Sequence, residues 1–322
     1  MKFIDFFAGI GGFRLGMEMA GHECVGHCEV DKFANKSYNA MHGPKESEWH
    51  ADDIRRVMPG DLPEAEVYCF GFPCQAFSIA GKRRGFEDTR GTLFFEVMRL
   101  VKERKPDILF AENVKGLLSH DSGKTFGTII RTMDELGYDV EWQLLNSANF
   151  GVPQNRERVL IIGNLRGTCG RKIFPIGDNA KETFELQGQK TGTITTRTGS
   201  ANTVGTYVVE SKQHAQIRQI GNCMPTKTRK KPNQGRIYDI NGLAPCLNQA
   251  TGGGRQPYIV GKEMNSACLI RRFTPKEYFR LQGFPDEYFE RAAAVNSDRQ
   301  LYKQAGNSVT VNVIYEIARR LS

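Results

Sequence analysis

Apolar residues in the first half of the chain recur with the spacing of strands and helices in alternation. Short apolar runs at 2–8 and 24–30 are typical of buried strands, and residues 13–20 between them have helical spacing. The alternation continues to residue 163, with further strands predicted at 67–70, 107–111, 141–146 and 158–163 and helices at 92–104 and 124–136. Such alternation predicts an α/β fold with a Rossmann-like, doubly wound and mostly parallel sheet.

The pattern changes after residue 165. The chain becomes rich in Gly, Thr, Asn and Gln, and only short β-like runs are visible, at 193–196, 206–209 and 258–260. Helical spacing returns at 275–281 and near the end, where Val313, Ile317 and Leu321 form an apolar stripe. We therefore predict three parts: an α/β domain at 1–165, a small irregular β-rich domain at 166–268, and a helical segment at 269–322.

Positive charge is concentrated in the second part. The 322 residues are 39% hydrophobic and 25% charged, as in ordinary globular proteins, and carry a net charge of +8. Residues 166–263 contain fifteen Lys and Arg against six Asp and Glu, so the rest of the chain is close to neutral. A neutral body with one basic segment indicates a module that binds a polyanion, and a merely solvated basic face is the weaker alternative.

The eight cysteines lie scattered along the chain. Scattered cysteines without a signal peptide are typical of free thiols in a reducing compartment, so we expect a cytoplasmic protein. Two Cys and two His between residues 22 and 28 have no second paired set at zinc-site spacing, so we expect no metal. No run approaches the apolar length of a membrane span, and we expect no membrane partner.

One thiol lies just after a predicted strand. Cys74 follows the run 67–70 through a short turn, in which Gly71 gives the backbone freedom and Pro73 stiffens it. Open α/β sheets place their chemistry at the carboxyl ends of strands, and cysteine is a good nucleophile there once it is activated as the thiolate. The alternative is a half-buried structural cysteine in a turn.

The first predicted strand ends in the glycine turn Gly9-Ile10-Gly11-Gly12. This turn differs from the dinucleotide fingerprint, because Arg14 stands where the third glycine belongs. Glu29 ends the second strand about twenty residues later, where an acid accepts hydrogen bonds from ribose hydroxyls. The carboxyl ends of parallel strands meet at one edge, so the glycine turn, Glu29, Cys74 and Glu112 should line one crevice for an adenosine-type ligand.

Seven sequence blocks follow one another in a distinctive order: Asp5-Phe6-Phe7-Ala8-Gly9-Ile10-Gly11-Gly12, Phe72-Pro73-Cys74-Gln75, Arg90-Gly91-Thr92-Leu93-Phe94, Glu112-Asn113-Val114, Gln154-Asn155-Arg156-Glu157-Arg158, Arg280-Leu281-Gln282-Gly283-Phe284-Pro285 and Gly306-Asn307-Ser308-Val309. Together they resemble the bacterial and phage C5-cytosine-specific DNA methyltransferases. The resemblance covers residues 1–165 and 269–322, which would form the catalytic and cofactor-binding domain. Residues 166–268 stand where that family has its variable target-recognition domain.

The resemblance implies transfer of a methyl group from S-adenosylmethionine to carbon 5 of a cytosine flipped out of double-stranded DNA. Cys74 would add covalently to carbon 6 of the ring. Glu112 would meet the ring nitrogen, through a carboxyl whose pKa is raised by burial. Arg158, together with Arg156, would hold the cytosine carbonyl.

The resemblance also implies a set of cofactor-binding residues. Glu29 would bind the ribose, and Asp53 with Ile54 would meet the adenine. The other predicted cofactor residues are Phe7, Ala8, Gly9, Ile10, Gly12, Pro73, Leu93, Asn307 and Ser308.

The predicted DNA contacts are basic residues, namely Arg83, Arg84, Lys227, Arg229, Lys230, Lys231 and Arg255. We expect a monomer, and the resemblance leaves open a cognate restriction endonuclease as a partner. Two other functions are weighed against this one. An RNA cytosine methyltransferase on the same scaffold would keep the chemistry and change the polymer. A Rossmann oxidoreductase would give Cys74 no role.

Overall fold

The computed structural model describes residues 1–73, 93–168, 171–176 and 270–321, with shorter stretches at 217, 219–222, 236–238, 243–247 and 257–260. The strands of its main sheet are β1 (Lys2–Phe6), β2 (Glu23–Cys28), β3 (Trp49–Ala51), β4 (Val67–Gly71), β5 (Ile108–Val114), β6 (Tyr138–Asn146) and β7 (Glu157–Leu165). They lie in the order β3-β2-β1-β4-β5-β7-β6. Within the described ranges, the helices are α1 (Gly12–Met19), α2 (Lys32–His42), α3 (Leu93–Arg104), α4 (Lys124–Glu135), α5 (Pro275–Leu281), α6 (Asp286–Ala293), α7 (Asp298–Asn307) and α8 (Val311–Ala318).

The predicted doubly wound, mostly parallel sheet is confirmed, with one local difference. β1 to β5 pair in parallel, whereas β7 is antiparallel to both β5 and β6. The chain passes from β6 to β7 within about a dozen residues and without a crossover helix, and only an antiparallel pair can be joined so directly. β7 therefore enters the sheet between β5 and β6 with its direction reversed.

Helices cover both faces of the sheet. On one face α3 and α4 pack on side chains such as Phe70, Leu109 and Ile161. On the other face α1 and α8 pack around Phe110. The contact between α1 and α8 is close, because a Cβ at Gly16 would lie 2.7 Å from the side chain of Ile314. The C-terminal helix thus completes the core that the N-terminal strands begin.

Residues 171–176 belong to this core, although the sequence predicts a domain boundary at 165. Ile173, Phe174 and Ile176 are buried with α8 and β7. Side chains of β6 hold their backbone: Glu141 accepts hydrogen bonds from the amides of Ile173 and Phe174, and Gln143 accepts one from Ile176. Residues 173–176 thus pack on the main sheet and on α8.

Among the described residues, short strands form a second sheet, and all but the last lie in the part predicted to be β-rich. They are β8 (Gln219–Asn222), β9 (Arg236–Tyr238), β10 (Tyr258–Val260) and β11 (Ile270–Arg272), in the order β11-β10-β9-β8. β9 and β10 pair in parallel, and the two outer pairs are antiparallel. Of the described helices, none combines the length and the apolar character that a membrane crossing requires.

The cysteines and histidines near β2 are engaged in packing and hydrogen bonds. The ring of His22 bonds to the carbonyl of Ala318, and the thiol of Cys24 donates to the carbonyl of Gly26. His27 stacks on Tyr38 with ring centroids 3.9 Å apart. The described part of the chain contains no cluster of three or more His, Cys, Asp or Glu placed to hold a metal ion.

Candidate active site

A cavity of about 740 Å³ opens at the carboxyl edge of the parallel strands. Its volume falls within the range of roughly 300–1,000 Å³ that is typical of ligand and cofactor pockets. Of the residues predicted for the site, those that line it are Phe7, Ala8, Gly9, Gly12, Glu29, Pro73, Leu93, Glu112, Arg156, Arg158, Asn307 and Ser308. The chain thus brings together residues that are up to three hundred positions apart.

The turn after β1 forms the floor of this cavity with an unusual backbone. Phe7 has a φ of 58°, which strains a residue with a side chain, and Gly9 and Gly11 also have positive φ. Gly12 permits close approach, since a Cβ there would lie 2.7 Å from the hydroxyl of Ser308. The turn therefore touches the link between α7 and α8, and both ends of the chain build the same wall.

Glu29 supports this turn from the end of β2. Its two carboxylate oxygens accept hydrogen bonds from the backbone amides of Gly9, at 2.8 Å, and Asp31, at 2.7 Å. Burial raises the pKa of Glu29, and these hydrogen bonds oppose that shift. A carboxylate has about four lone-pair positions, so Glu29 keeps acceptor capacity toward the cavity.

Sequence reasoning missed a second charged group in the cavity, the pair Asp31–Lys303. The ammonium of Lys303 on α7 lies 2.6 Å from Asp31, which also caps α2 by accepting the amide of Phe33. Partial burial is the largest single effect on Asp31 and raises its pKa, but the hydrogen bonds from Lys303 and from the amides of Phe33 and Ala34, together with the charge of Lys303, outweigh it, so the pKa is lowered. The sequence does indicate Asp31 as the residue that caps the start of a helix, whereas nothing in the sequence pairs it with Lys303.

Glu112 and Arg158 form an ion pair at the other end of the cavity. The Nε atom of Arg158 lies 2.9 Å from Glu112, and the two side chains are only 15% and 12% exposed. Strand register places them, because Glu112 on β5 lies opposite Gly71 and Arg158 on β7 lies opposite Val114. Burial raises the pKa of Glu112, and the charges of Arg158 and Arg156 offset only part of this effect. This carboxyl therefore takes up a proton more readily than a solvent-exposed glutamate does.

The position of Arg156 differs from the expectation that it holds the substrate carbonyl. Its side chain is 2% exposed, and its terminal nitrogens donate to the carbonyls of Leu247, Gly306 and Ser308. Burial lowers the pKa of Arg156 to about 10, with a contribution from neighbouring Arg158. The guanidinium is therefore engaged with the backbone, and Arg158 is the arginine that faces Glu112.

Three predicted cofactor residues do not line the cavity. Ile10 and Ile54 are 1% and 2% exposed and pack in the core. The carboxylate of Asp53 is held by the guanidinium of Arg55, whose hydrogen bond lowers the pKa of Asp53. Asp53 follows β3 at the same edge of the sheet, but its carboxylate is engaged by Arg55.

Cys74 and the predicted DNA contacts lie outside the described residues; these are Cys74, Arg83, Arg84, Lys227, Arg229, Lys230, Lys231 and Arg255. The described chain does fix the approach to Cys74. Asn113, which is buried, donates to the carbonyl of Phe72 at 2.8 Å, and Pro73 lines the cavity. Sequence reasoning did not single out this anchoring role of Asn113.

Comparisons with known proteins agree with this geometry. The family model described as C-5 cytosine-specific DNA methylase matches residues 1–322. The chain is 38% identical to Type II methyltransferase M.HhaI of Haemophilus parahaemolyticus over 99% of its length and 93% of that protein. It is also 38% identical to Type II methyltransferase M.HpaII of Haemophilus parainfluenzae, over 99% and 88% of the two chains. Among solved structures, the S. pombe Dnmt2 methyltransferase superposes with a TM-score of 0.68 at 18% identity, covering 100% of this chain and 98% of that one, which shows a shared fold.

Proposed function

This chain belongs to the C-5 cytosine-specific DNA methylase family, and we propose that the cavity lined by Glu29, Glu112 and Arg158 is its active site. The protein is a DNA (cytosine-5) methyltransferase that uses S-adenosylmethionine. The observation that carries the assignment of the site is the buried Glu112–Arg158 pair, which shares one cavity with the glycine turn and Glu29. One half of the cavity suits an adenosine, and the other half suits a planar base.

The residues of the first half fit the cofactor. Glu29 offers a buried acceptor for ribose hydroxyls beside a turn whose backbone leaves room at Gly9, where a Cβ would meet nothing within 4 Å. We propose that Phe7, Ala8 and Ser308 complete this half of the pocket. When bound, S-adenosylmethionine supplies an electrophilic methyl group.

Carbon 5 of cytosine is a weak nucleophile, and we propose that the protein activates it covalently. The Cys74 thiolate forms a bond to carbon 6, and the electron pair of the 5,6 double bond moves onto carbon 5. Glu112, whose pKa burial raises, takes up a proton and donates it in a hydrogen bond to the ring nitrogen N3, which stabilises the charge that develops. Arg158 holds Glu112 at 2.9 Å and presents its remaining donors to the carbonyl of the base.

Loss of a proton from carbon 5 and release of Cys74 regenerate the enzyme. After carbon 5 is methylated it still carries its hydrogen, which a base removes as a proton. The electron pair of that carbon–hydrogen bond re-forms the 5,6 double bond, and the bond between carbon 6 and the Cys74 sulfur breaks. Cys74 leaves as thiolate, so no oxidant or reductant takes part.

We propose double-stranded DNA as the polymer bound by the predicted target-recognition domain, residues 166–268, which contains the basic excess of 166–263. Its Lys and Arg side chains would neutralise phosphates, while its polar side chains read base edges in the grooves. The relatives named above are Type II methyltransferases, which motivates a cognate restriction endonuclease as the partner of this protein. A monomer acting on DNA in the prokaryotic cytoplasm is consistent with this proposal.

The covalent step gives a direct test with Cys74→Ala. Duplex DNA that carries 5-fluorocytosine traps the adduct, because fluorine does not leave as a proton does. With S-adenosylmethionine, the unmodified protein should give a protein–DNA band that survives denaturing electrophoresis, and Cys74→Ala should give none. DNA affinity of the variant should stay within about tenfold, or about 1.4 kcal/mol, since the thiol acts only in bond formation.

Cys223→Ala is the matched control, and it should trap DNA as the unmodified protein does. A band formed by Cys74→Ala would assign the nucleophile to another cysteine and refute the proposed site. Trapping on single-stranded RNA with none on duplex DNA would refute the proposed polymer.

A further inference from the structure

Arg156 binds backbone carbonyls from two distant parts of the chain. Nη2 donates to Ser308 at 2.6 Å and to Gly306 at 3.1 Å, and Nη1 donates to Leu247 at 3.4 Å. Gly306 and Ser308 both line the proposed cofactor cavity, on either side of Asn307. Leu247 belongs to residues 243–247, which come from the DNA-reading part of the chain. One buried guanidinium therefore connects the cofactor wall to the base of the recognition segment.

The recognition segment is held at this point by further hydrogen bonds. The amide of Ala244 donates to the carbonyl of Pro153 at 2.8 Å, and its carbonyl accepts from Asn155 at 2.9 Å. The amide of Leu247 donates to the side chain of Gln154, which itself donates to the carbonyl of Leu281. Residues 153–156 thus bind the recognition segment on one side and the C-terminal helices on the other.

These backbone carbonyls stabilise the positive charge of the buried Arg156 side chain. Among the described residues no carboxylate lies within ion-pair distance of it, and its Nε atom has no hydrogen-bond partner. A buried cation without a paired anion requires strong acceptors, and hydrogen bonds from a charged donor are stronger and shorter than neutral ones. A displacement of Gly306–Ser308 or of Leu247 would therefore change the hydrogen bonds of the same guanidinium, that of Arg156.

Arg156 also lies next to the catalytic pair in the sequence and in space. Arg158 lies two residues later, in β7, and the thiol of Cys246 lies 3.6 Å from Arg156 and 4.0 Å from Arg158. The backbone amide of Arg156 is fixed by the side chain of Asn146, at 3.1 Å. The position of the guanidinium thus affects the strand that presents Arg158 to Glu112.

We propose that Arg156 is a positioning residue that couples the cofactor pocket to the recognition segment, so that S-adenosylmethionine and target DNA strengthen each other's binding. Occupation of the cofactor pocket orders Gly306–Ser308, Arg156 transmits that order to Leu247, and the recognition segment meets the duplex in its binding geometry. By linkage the effect is reciprocal, so DNA tightens the cofactor by the same factor. The inference rests on the proposed cofactor and DNA sites.

The test is a binding cycle with S-adenosylhomocysteine as the cofactor probe. The DNA probe is a duplex with the sequence that methylation mapping identifies in DNA from cells expressing the protein. Unmodified protein should bind the duplex at least tenfold more tightly when S-adenosylhomocysteine is saturating, and the probe should tighten by the same factor with DNA. In Arg156→Lys the factor should fall to within twofold of one, because a single ammonium does not reproduce the planar fork that serves both sides.

Arg156→Gln is the second variant, and Arg291→Lys is the matched control. Arg291 also donates to a backbone carbonyl, that of Met41 at 3.0 Å, and it does not line the cavity. The control should keep the full coupling factor. Thermal unfolding with and without S-adenosylhomocysteine identifies the variants that fold and still bind the probe.

The outcomes separate the inference from the proposed function. A folded Arg156 variant that weakens both ligands but keeps the coupling factor shows a purely structural role and overturns the inference. Full coupling in Arg156→Lys, or its absence in the unmodified protein, also overturns it. Failure of the unmodified protein to bind S-adenosylhomocysteine at all would instead contradict the cofactor site.

Discussion

The buried carboxyl of Asp5, just before the turn that forms the floor of the cavity, should make the free energy of unfolding depend on pH. It lies on β1 with no exposed surface, and one of its carboxyl oxygens has no hydrogen-bond partner among the described residues. The other accepts the backbone amide of Arg14 at 3.3 Å. The guanidinium of Arg14 is occupied by Glu48 and Glu18, so it offsets the burial of Asp5 only in part. Burial therefore raises the pKa of Asp5 from 3.8 to about 8.

The sign of this pH dependence follows from whether the folded or the unfolded chain binds the proton of Asp5. Between these two values folded chains keep the proton and unfolded chains lose it, so stability falls as pH rises from about 4 to about 8. The slope is about 1.4 kcal/mol per pH unit, which gives a loss of roughly 2.7 kcal/mol between pH 5 and pH 7. Asp5→Asn removes the titrating group and should remove this loss, whatever constant offset the amide introduces.

Urea unfolding at a series of pH values measures the effect as the difference between the variant and the unmodified protein. The difference is needed because burial lowers the pKa of His27 and His42 to about 3, so they titrate in the opposite sense below pH 6.5. Those histidines are unchanged in the variant, so their contribution cancels. Asp298→Asn, at an exposed position, should show no such difference. Parallel curves for Asp5→Asn and unmodified protein from pH 5 to 8 would refute the account of Asp5 as a buried neutral acid.

Two further predictions concern ligands. Glu29→Gln should raise the calorimetric Kd for S-adenosylhomocysteine at least tenfold, since an amide replaces an oxygen that accepts a backbone N–H, while exposed Glu46→Gln should leave it unchanged. Binding of NAD by the unmodified protein, with no response to S-adenosylhomocysteine, would contradict the cofactor assignment. Neutralising Lys227, Arg229, Lys230 and Lys231 together should flatten the salt dependence of DNA binding by about 0.9 in log–log slope for each phosphate that these side chains neutralise, and leave the preferred sequence unchanged. An unaltered slope would place the phosphate-binding side chains elsewhere in the basic segment.

Sequence analysis predicted the strands and helices whose apolar pattern and end signals lie within the element itself. Alternating apolar runs and glycine stops give β1, β4, β5, α3 and α4 to within two or three residues at each end. α2 was missed because its buried positions, Ala34, Tyr38 and Met41, are separated by polar residues, and its ends are set by the Asp31 cap and the positive φ of Gly43. The packing of residues 171–176 was not predicted, because side chains of β6 hold this stretch and no periodicity reveals such contacts.

The candidate site was predictable where a strand end fixes it. Glu29 and Glu112 each lie at or next to the end of a parallel strand, and the sheet brings them to one edge. Lys303 was not predictable, because its position depends on how α7 packs on α2 through contacts such as Ser37–Gln304. Long-range side-chain pairing of this kind leaves no pattern in a single sequence.

Arg156 and Arg158 show this limit most clearly. Arg156 immediately precedes β7 and Arg158 is the second residue of that strand; if the extended backbone began at Arg156, alternation would put both side chains on the same side. Spacing alone therefore assigns both to the base. Their surroundings separate them: Arg158 meets Glu112, a carboxylate at the cavity wall, whereas Arg156 meets carbonyls from residues 247, 306 and 308. An arginine bound to carbonyls positions backbone, whereas one bound to a carboxylate can pass that interaction to a substrate. This difference in surroundings is the reason that we propose coupling for Arg156 and recognition of the base for Arg158.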